Sequence, residues 1–441
     1  MASSKRVFVS ALLAAVFFAG TAGASNKGVT IGCVLPLSGD QAEAGAQALK
    51  GIQLAFSAKS RFVDKAGLKL VLKDSGGGGD SMAEAMRELS ADETVLAVVG
   101  MFTQANVGRA LAASADGLAI IAPSAGAKQT VGQNGKRRIH WIEATDSGQA
   151  GLLAETAIKN LGLSRFAVLR PDDQYGAEMA RLFAEAVKKN GGTVGVVEKF
   201  EAAQTDFRAQ MTALGGMDDQ HLRGAIFTYA KEHPEKSVDD LNDALRLTYG
   251  KGRSYPRITK TKGMPLTKNN FSFEMKVGYD ALFLPAGYEQ AGLILPALSF
   301  YNIADLVVLG TDRMLSPELV TIGGKYAENV LFTGEFYPTM SGEAARTFVD
   351  DFRNAVGDPP DAAAARYYDA MMITLTVAEG GGAGERKKML DALDNLATYV
   401  GVTGTVTRGP DGNLEKSSLL FTVEGGKITE YEPPPPAPSQ Q

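Results

Sequence analysis

The chain has 441 residues, 22% of them charged and 45% hydrophobic, a globular balance with length for two or three domains and their cores. A formal net charge of −5 argues against a nucleic-acid partner, which requires a basic face. One cysteine excludes an internal disulfide.

At the N-terminus, Lys5 and Arg6 precede an apolar run from Val7 to Ala19, and Ala22-Gly23-Ala24 has the form of an A-x-A cleavage site. The run is too short to span a bilayer, so residues 1–24 read as a cleaved signal peptide, with a retained membrane anchor as the plainer alternative, and the product as exported. Val29–Leu35 reads as the first strand, with Cys33 a buried, inert thiol inside it. Ala46, Leu49, Ile52 and Phe56 then mark one stripe of a helix, and Ser38 with Gln41 has the spacing of a capping box for it. Leu68–Lys73, Val95–Val99 and Leu118–Ala122 read as strands, with helices near Ala83–Leu89 and Ala105–Ala115.

After His140-Trp141-Ile142 the alternation restarts. Gln149–Leu161 reads as helix and Arg165–Leu169 as strand. Met179, Leu182, Phe183, Ala186 and Val187 fall on one helical stripe, which Asn190-Gly191-Gly192 stops. Thr193–Phe200, Ala281–Leu284, Leu306–Leu309 and Asn329–Thr333 complete the strands. This alternation predicts an α/β protein, and the number of strands favours two doubly wound parallel-sheet lobes over one large sheet. The pattern breaks twice. Leu247–Phe273 has no acidic residue but carries Lys251, Arg253, Arg257, Lys260, Lys262 and Lys268, and reads as a basic inserted surface loop, solvated or docked on an anionic surface. The proline-rich end, residues 432–441, reads as a disordered tail.

In doubly wound sheets ligands sit beyond the carboxyl ends of the strands. Those ends carry Leu37-Ser38-Gly39, Gly100-Met101-Phe102-Thr103 and Ala122-Pro123-Ser124-Ala125, where hydroxyls and helix-start amides suit a carboxylate. They also carry Gln174-Tyr175-Gly176, Gly287-Tyr288-Glu289 and Thr311-Asp312, where tyrosines and an acid suit an ammonium group and an apolar stem. Plainer roles stand beside these: Ser38 capping its helix, Tyr175 and Tyr288 packing locally, Asp312 pairing with Arg313. Gly76–Gly79 lacks the Gly-Lys-Ser/Thr of a phosphate loop. No G-x-S-x-G, H-E-x-x-H or paired Cys-x-x-Cys occurs, so neither catalytic residues, a metal centre nor a cofactor is expected.

The stretches "IGCVLPLSG", "LRPDDQYGAEMARLFAEAV", "QTDFRAQMTAL" and "ARYYDAMMITLTVAEG" resemble the periplasmic solute-binding proteins of the leucine/isoleucine/valine type, over about residues 29–430 apart from the insert. The resemblance implies a type I periplasmic-binding fold, two lobes joined by three crossing strands, that closes on an amino acid and delivers it to a membrane ABC permease. It implies lobe one from residues 28–142 and 337–402, and lobe two from 143–336 and 403–431, with the insert at about 215–275. Thr103, Gln104, Ser124 and Gly126 would face the ligand carboxylate, Tyr175 and Tyr288 would flank its side chain, and Asp312 would take its ammonium. The stretch "YDALFLPAGYEQAGLILPALSFYNIADLVVLGTDRMLSPELV" also looks like a subgroup known as penicillin-binding-protein activators, which implies, as an alternative, a cell-wall synthase as partner.

Overall fold

The computed structural model describes residues 28–435 apart from 77, 104–105, 124–138, 250–253, 263–265, 268 and 410–413. The expected signal peptide, residues 1–24, and tail residues 436–441 lie outside the described residues. Two compact units emerge, one running to Ala144 and resuming over Glu335–Ser417, the other over Thr145–Gly334 and from Ser418 on. The chain therefore passes between them three times.

In chain order the first unit opens with β1 (Val29–Leu35), α1 (Ala42–Ala58), α2 (Ser60–Ala66), β2 (Leu68–Asp74), α3 (Gly79–Ala91), β3 (Val95–Gly100), α4 (Val107–Ala113), β4 (Ala119–Ala122) and β5 (Ile139–Glu143). The second unit follows with α5 (Asp146–Glu155), β6 (Arg165–Pro171), α6 (Gln174–Lys189), β7 (Thr193–Phe200), α7 (Arg208–Ala213), α8 (Asp219–Glu232), α9 (Val238–Tyr249), β8 (Tyr255–Thr261) and β9 (Phe271–Lys276). It continues through β10 (Ala281–Leu284), α10 (Tyr288–Phe300), β11 (Val307–Gly310), α11 (Pro317–Gly323) and β12 (Leu331–Gly334). The first unit resumes with α12 (Glu343–Val356), α13 (Ala362–Glu379), α14 (Arg386–Asp394), β13 (Thr398–Gly401), β14 (Gly404–Arg408) and β15 (Leu414–Lys416), and β16 (Leu419–Glu424) and β17 (Lys427–Glu430) return to the second.

The first sheet is ordered β2-β1-β3-β4-β5-β15-β14-β13 and the second β7-β6-β10-β11-β12-β16-β17. In both, the first five strands formed are parallel and lie in the order 2-1-3-4-5. The fold class is thus α/β with two doubly wound, mainly parallel sheets. β3 and β4 are buried at every position, as strands covered by helices on both faces must be. β1 shows why both faces need apolar residues. Its Ile31, Cys33 and Leu35 point into one core with α1 and α13, and Val34 into the opposite core with α3. In the second unit Phe183 of α6 stacks on Phe283 of β10 at 4.1 Å and meets Phe166 of β6 edge-on at 5.5 Å.

Three expectations change. Residues 403–417, read into the second lobe, belong to the first unit, because β14 pairs with β13 and β15 lies parallel to β5. The insert is not a loop. α8 and α9 pack on the hairpin β8–β9 around a core of Leu222, Ile226, Leu241, Leu245, Ile258 and Phe271. Asn242 of α9 clamps β8 by donating to the Ile258 carbonyl at 3.1 Å and accepting from its amide at 2.7 Å. Lys251, Arg253 and Lys268 lie outside the described residues. The tail is held at its start, where Asn160 Nδ2 donates to the Pro434 carbonyl at 2.7 Å.

Each pass of the chain is fastened where it leaves a unit. In the first unit β5 pairs with β15, Ile142 opposite Leu414, and Glu335 lies in ion pairs with Lys416 and Arg366. In the second, Gly334 pairs with Leu419, and Thr333 Oγ1 donates to Gln149 Oε1 at 2.6 Å. The Lys416 side chain is only 1% exposed. Burial alone would raise the Glu335 pKa, but the Lys416 ammonium and Arg366 guanidinium outweigh it and hold the carboxyl at about 2. With its folded pKa depressed, Glu335 contributes stability above the ordinary glutamate range, and that contribution is lost as pH falls toward about 2. Glu335→Ala strands Lys416 without its anion, so urea unfolding at pH 7 should show a loss of about 3–5 kcal/mol. The gap to wild type should narrow as pH drops from about 5 toward 2. A pH-independent gap, or one below about 1 kcal/mol, would show that the network contributes little.

Candidate functional site

The winding order creates one switch point per sheet, between β1 and β3 in the first and between β6 and β10 in the second. Neighbouring crossovers leave there in opposite directions, opening a crevice at the carboxyl ends. In the second unit Asp173 caps α6 by accepting from the Gly176 amide at 2.6 Å, which sets Tyr175 at the helix mouth. The Tyr175 hydroxyl reaches past the end of β10 and donates to Thr311 Oγ1 at 2.8 Å. Thr311 is fully buried, so the ring is pinned from below. Burial drives the Tyr175 pKa far above its ordinary value, and the hydroxyl stays neutral.

Above the ring lies the guanidinium of Arg313, 3.3 Å from the ring centroid. Asp312, beside it in sequence, is exposed and opens a short 3-10 turn; its amide donates to Gln149 Oε1 at 3.2 Å. Gln149 is itself buried and accepts from Thr333 at the same oxygen, so it ties the end of β11 to α5 and β12. Tyr288, half-buried, is the first residue of α10. Asp146, at the start of α5, is close enough for its charge to act on the Tyr175 hydroxyl. The structure thus brings Tyr175, Tyr288 and Asp312 to the ends of β6, β10 and β11. Gln149 and Arg313 are the neighbours that the sequence did not assign to this face, and Thr311, read there only as a strand-end residue, is the partner of Tyr175. Arg313 drew notice only as a partner for Asp312, and its guanidinium rests on the Tyr175 ring instead.

In the first unit Ser38 and Thr103 follow β1 and β3, on either side of that switch point. The Ser38–Gln41 capping box does not form: Gln41 is the N-cap of α1 and makes no side-chain bond. A carboxylate from the end of β2 takes the hydroxyl first. Asp74 gathers Ser38 together with the amides of Leu37 and Gly76, both at 2.8 Å. Slight burial would raise the Asp74 pKa, but these hydrogen bonds prevail and hold it below the ordinary carboxylate range. Thr103 opens a tight turn into α4, its amide donating to Asn106 Oδ1 at 2.8 Å. Gln104, Ser124, Ala125 and Gly126 lie outside the described residues. Among the described residues no group of three or more His, Cys, Asp or Glu is placed to hold a metal ion. Cys33 is fully buried, and burial pushes its thiol up, so it is inert. A cavity of about 620 Å³ lies at the other end of the second sheet, walled by Arg165, Tyr279 and edge strand β7.

Both helix mouths depend on a glycine. A Cβ on Gly45 of α1 would stand 1.9 Å from the Pro36 carbonyl, and one on Gly176 of α6 would stand 2.3 Å from the Pro171 carbonyl. Each absence lets the first turn of a helix settle onto the end of the strand before it, which aims the helix-start amides at the crevice.

The sequence model of the periplasmic binding protein family matches residues 28–216 and 275–427. The chain belongs to that family. Membership implies a periplasmic location and makes the protein a solute-binding protein rather than an enzyme. This binding protein is 23% identical over 428 residues to a Leu/Ile/Val-binding protein homolog of Brucella melitensis, covering 96% of this chain and 99% of that one. Its fold is similar to that of a putative branched-chain amino acid ABC transporter structure from Rhodospirillum rubrum (TM-score 0.72, 20% identity, 92% of this chain and 100% of that one). It is also similar to a branched-chain amino acid transporter substrate-binding protein from Streptococcus pneumoniae in complex with isoleucine (TM-score 0.57, 22% identity, 92% and 100%). These relatives lend no support to a cell-wall synthase partner. The family model skips 217–274, which is the insert with its own core.

Two alanine substitutions separate a glycine in close contact from one in open space. Gly176→Ala should cost about 1–3 kcal/mol in urea unfolding, because the new methyl must push the helix off the Pro171 carbonyl. Gly151→Ala in α5, where a Cβ meets nothing within 4 Å, should gain about 0.5–1 kcal/mol. Equal effects at the two positions would refute the close approach at Gly176.

Proposed function

We propose that this binding protein is a receptor for a small amino acid or related carboxylate, exported through the cleaved signal of residues 1–24, and that it delivers its ligand to a membrane ABC permease. The observation that carries the reading is that Tyr175, Tyr288 and Asp312 follow the carboxyl ends of the neighbouring strands β6, β10 and β11, the edge at which open α/β sheets bind ligands. A pinned, neutral tyrosine offers an aromatic wall, and an exposed carboxylate at a 3-10 turn suits an ammonium group. In the first unit Thr103, with Gln104, Ser124 and Ala125, supplies the hydroxyl and amide donors for a carboxylate, while Ser38 holds Asp74 and shapes the turn. The relatives support the same class, since one is named for leucine, isoleucine and valine and another was solved with isoleucine.

The test is a thermal-shift screen of the mature protein against amino acids and small carboxylates, followed by calorimetry on the best ligand. Asp312 is exposed, so its removal forfeits a charge-assisted hydrogen bond rather than stranding a buried ion, about 1.5–3 kcal/mol. Asp312→Ala should therefore weaken binding of an ammonium-bearing ligand about tenfold to a hundredfold. Tyr288→Phe keeps the ring and should cost less. A screen with no stabilising ligand, or unchanged affinity in Asp312→Ala, would count against the assignment.

A further inference from the structure

We infer that Arg313 is an anion-receiving arm of the ligand face, so that the ligand carries a second anionic group, as an acidic amino acid or a small dicarboxylate does. The inference rests on the reading of this face as a ligand site and narrows it. The Arg313 guanidinium lies 3.3 Å from the centre of the Tyr175 ring, close enough for the two planes to stack. Stacking uses the face of the fork and leaves its N–H edges, which are what bind carboxylates in pairs.

The platform under it is rigid. The Tyr175 hydroxyl is bonded to Thr311, which is fully buried, and the ring is more than half buried along its length. The ordering cost that a long arginine side chain normally meets on binding is therefore largely met beforehand. Among the described residues Arg313 makes no ion pair, although Asp312 precedes it directly, and its side chain stands exposed. An aliphatic ligand stem laid over this site would strip water from the guanidinium and replace it with nothing. A carboxylate there would restore the lost hydrogen bonds. The acids of the same face, Asp312 and Asp146, are the complement of an ammonium, so the face as a whole offers opposite charges to two different parts of one ligand.

The test compares ligands matched in shape but not in charge: L-glutamate with L-glutamine, and glutarate with its monoamide, glutaramate. Calorimetry on the wild type, Arg313→Met and Arg313→Lys reads each pair, with circular dichroism confirming that the exposed substitutions leave the fold intact. The acidic member of a pair should bind about tenfold to a hundredfold more tightly, and Arg313→Met should abolish that preference while Arg313→Lys keeps part of it. Tighter binding of the neutral members, with Arg313→Met no weaker, overturns this inference and leaves the receptor assignment standing. An equal loss for both members of a pair in Arg313→Met also overturns it, because Arg313 would then read the group the two ligands share. If neither glutamate, glutarate nor any other amino acid or carboxylate in the screen binds, the receptor assignment falls and this inference with it.

Discussion

Parallel strands cannot be joined by tight turns, and that constraint organises the whole protein. Every pair of parallel neighbours among the five leading strands of each sheet requires a crossover, and these crossovers place the carboxyl ends of those five strands on one edge. Starting each sheet with an internal strand, β1 or β6, and adding strands on both sides makes a crevice unavoidable at that edge. What the chain must then supply is a close fit of the first helical turn to the strand end. Gly45 and Gly176 supply it in the two sheets, and Asp173 fixes the second helix by capping it. Tyr175 is aimed as a result of these backbone contacts, and the Thr311 hydroxyl locks it in place.

The strands were legible because apolar runs such as Val29–Leu35 and Ala281–Leu284 need burial on both faces, and no other element places them so. The residues at their ends were legible for the same reason: once strand ends are known, Tyr175, Tyr288 and Asp312 are fixed by chain order. The partners of those residues were not. Ser38 has the spacing of a cap, yet Asp74, thirty-six positions on, reaches it because β2 lies beside β1. Arg313 is next to an acid in sequence but stacks on an aromatic ring 138 positions earlier. Local spacing is blind to strand order, and strand order decides both contacts. The membership of residues 403–417 was misjudged similarly, since only pairing shows that β15 sits beside β5.

The same dependence on pairing explains why charge is buried where the chain leaves the first unit. Glu335 is where the second pass enters the first unit and Lys416 lies just before the third pass leaves it, and their ion pair, with Arg366, fixes the two segments relative to one another. An apolar contact there would hold them with less register, because hydrophobic contact is non-directional. Asp369 performs the adjoining task, accepting from the amides of Val402 and Thr403 and from the Thr403 hydroxyl, even though burial raises its pKa. The Lys416 ammonium lies 3.3 Å from that hydroxyl, so the two acids share one network.

The insert shows what the winding order permits. The crossover from β7 to β10 returns through α7 to the amino end of the sheet, and the extra helices and hairpin enter on that return. They are joined to the body there, by the Met275–Ile303 bridge, by Asn302 Nδ2 donating to the Met217 carbonyl at 3.0 Å, and by Lys276 with Asp305 at 2.9 Å. Tyr175, Tyr288 and Asp312 follow the opposite, carboxyl ends of strands in the same sheet. The insert thus has a core of its own and is joined to residues that precede β11, at the amino end of the sheet. Such a segment can be added on a connection at the amino end while strand order continues to place the residues at the carboxyl ends.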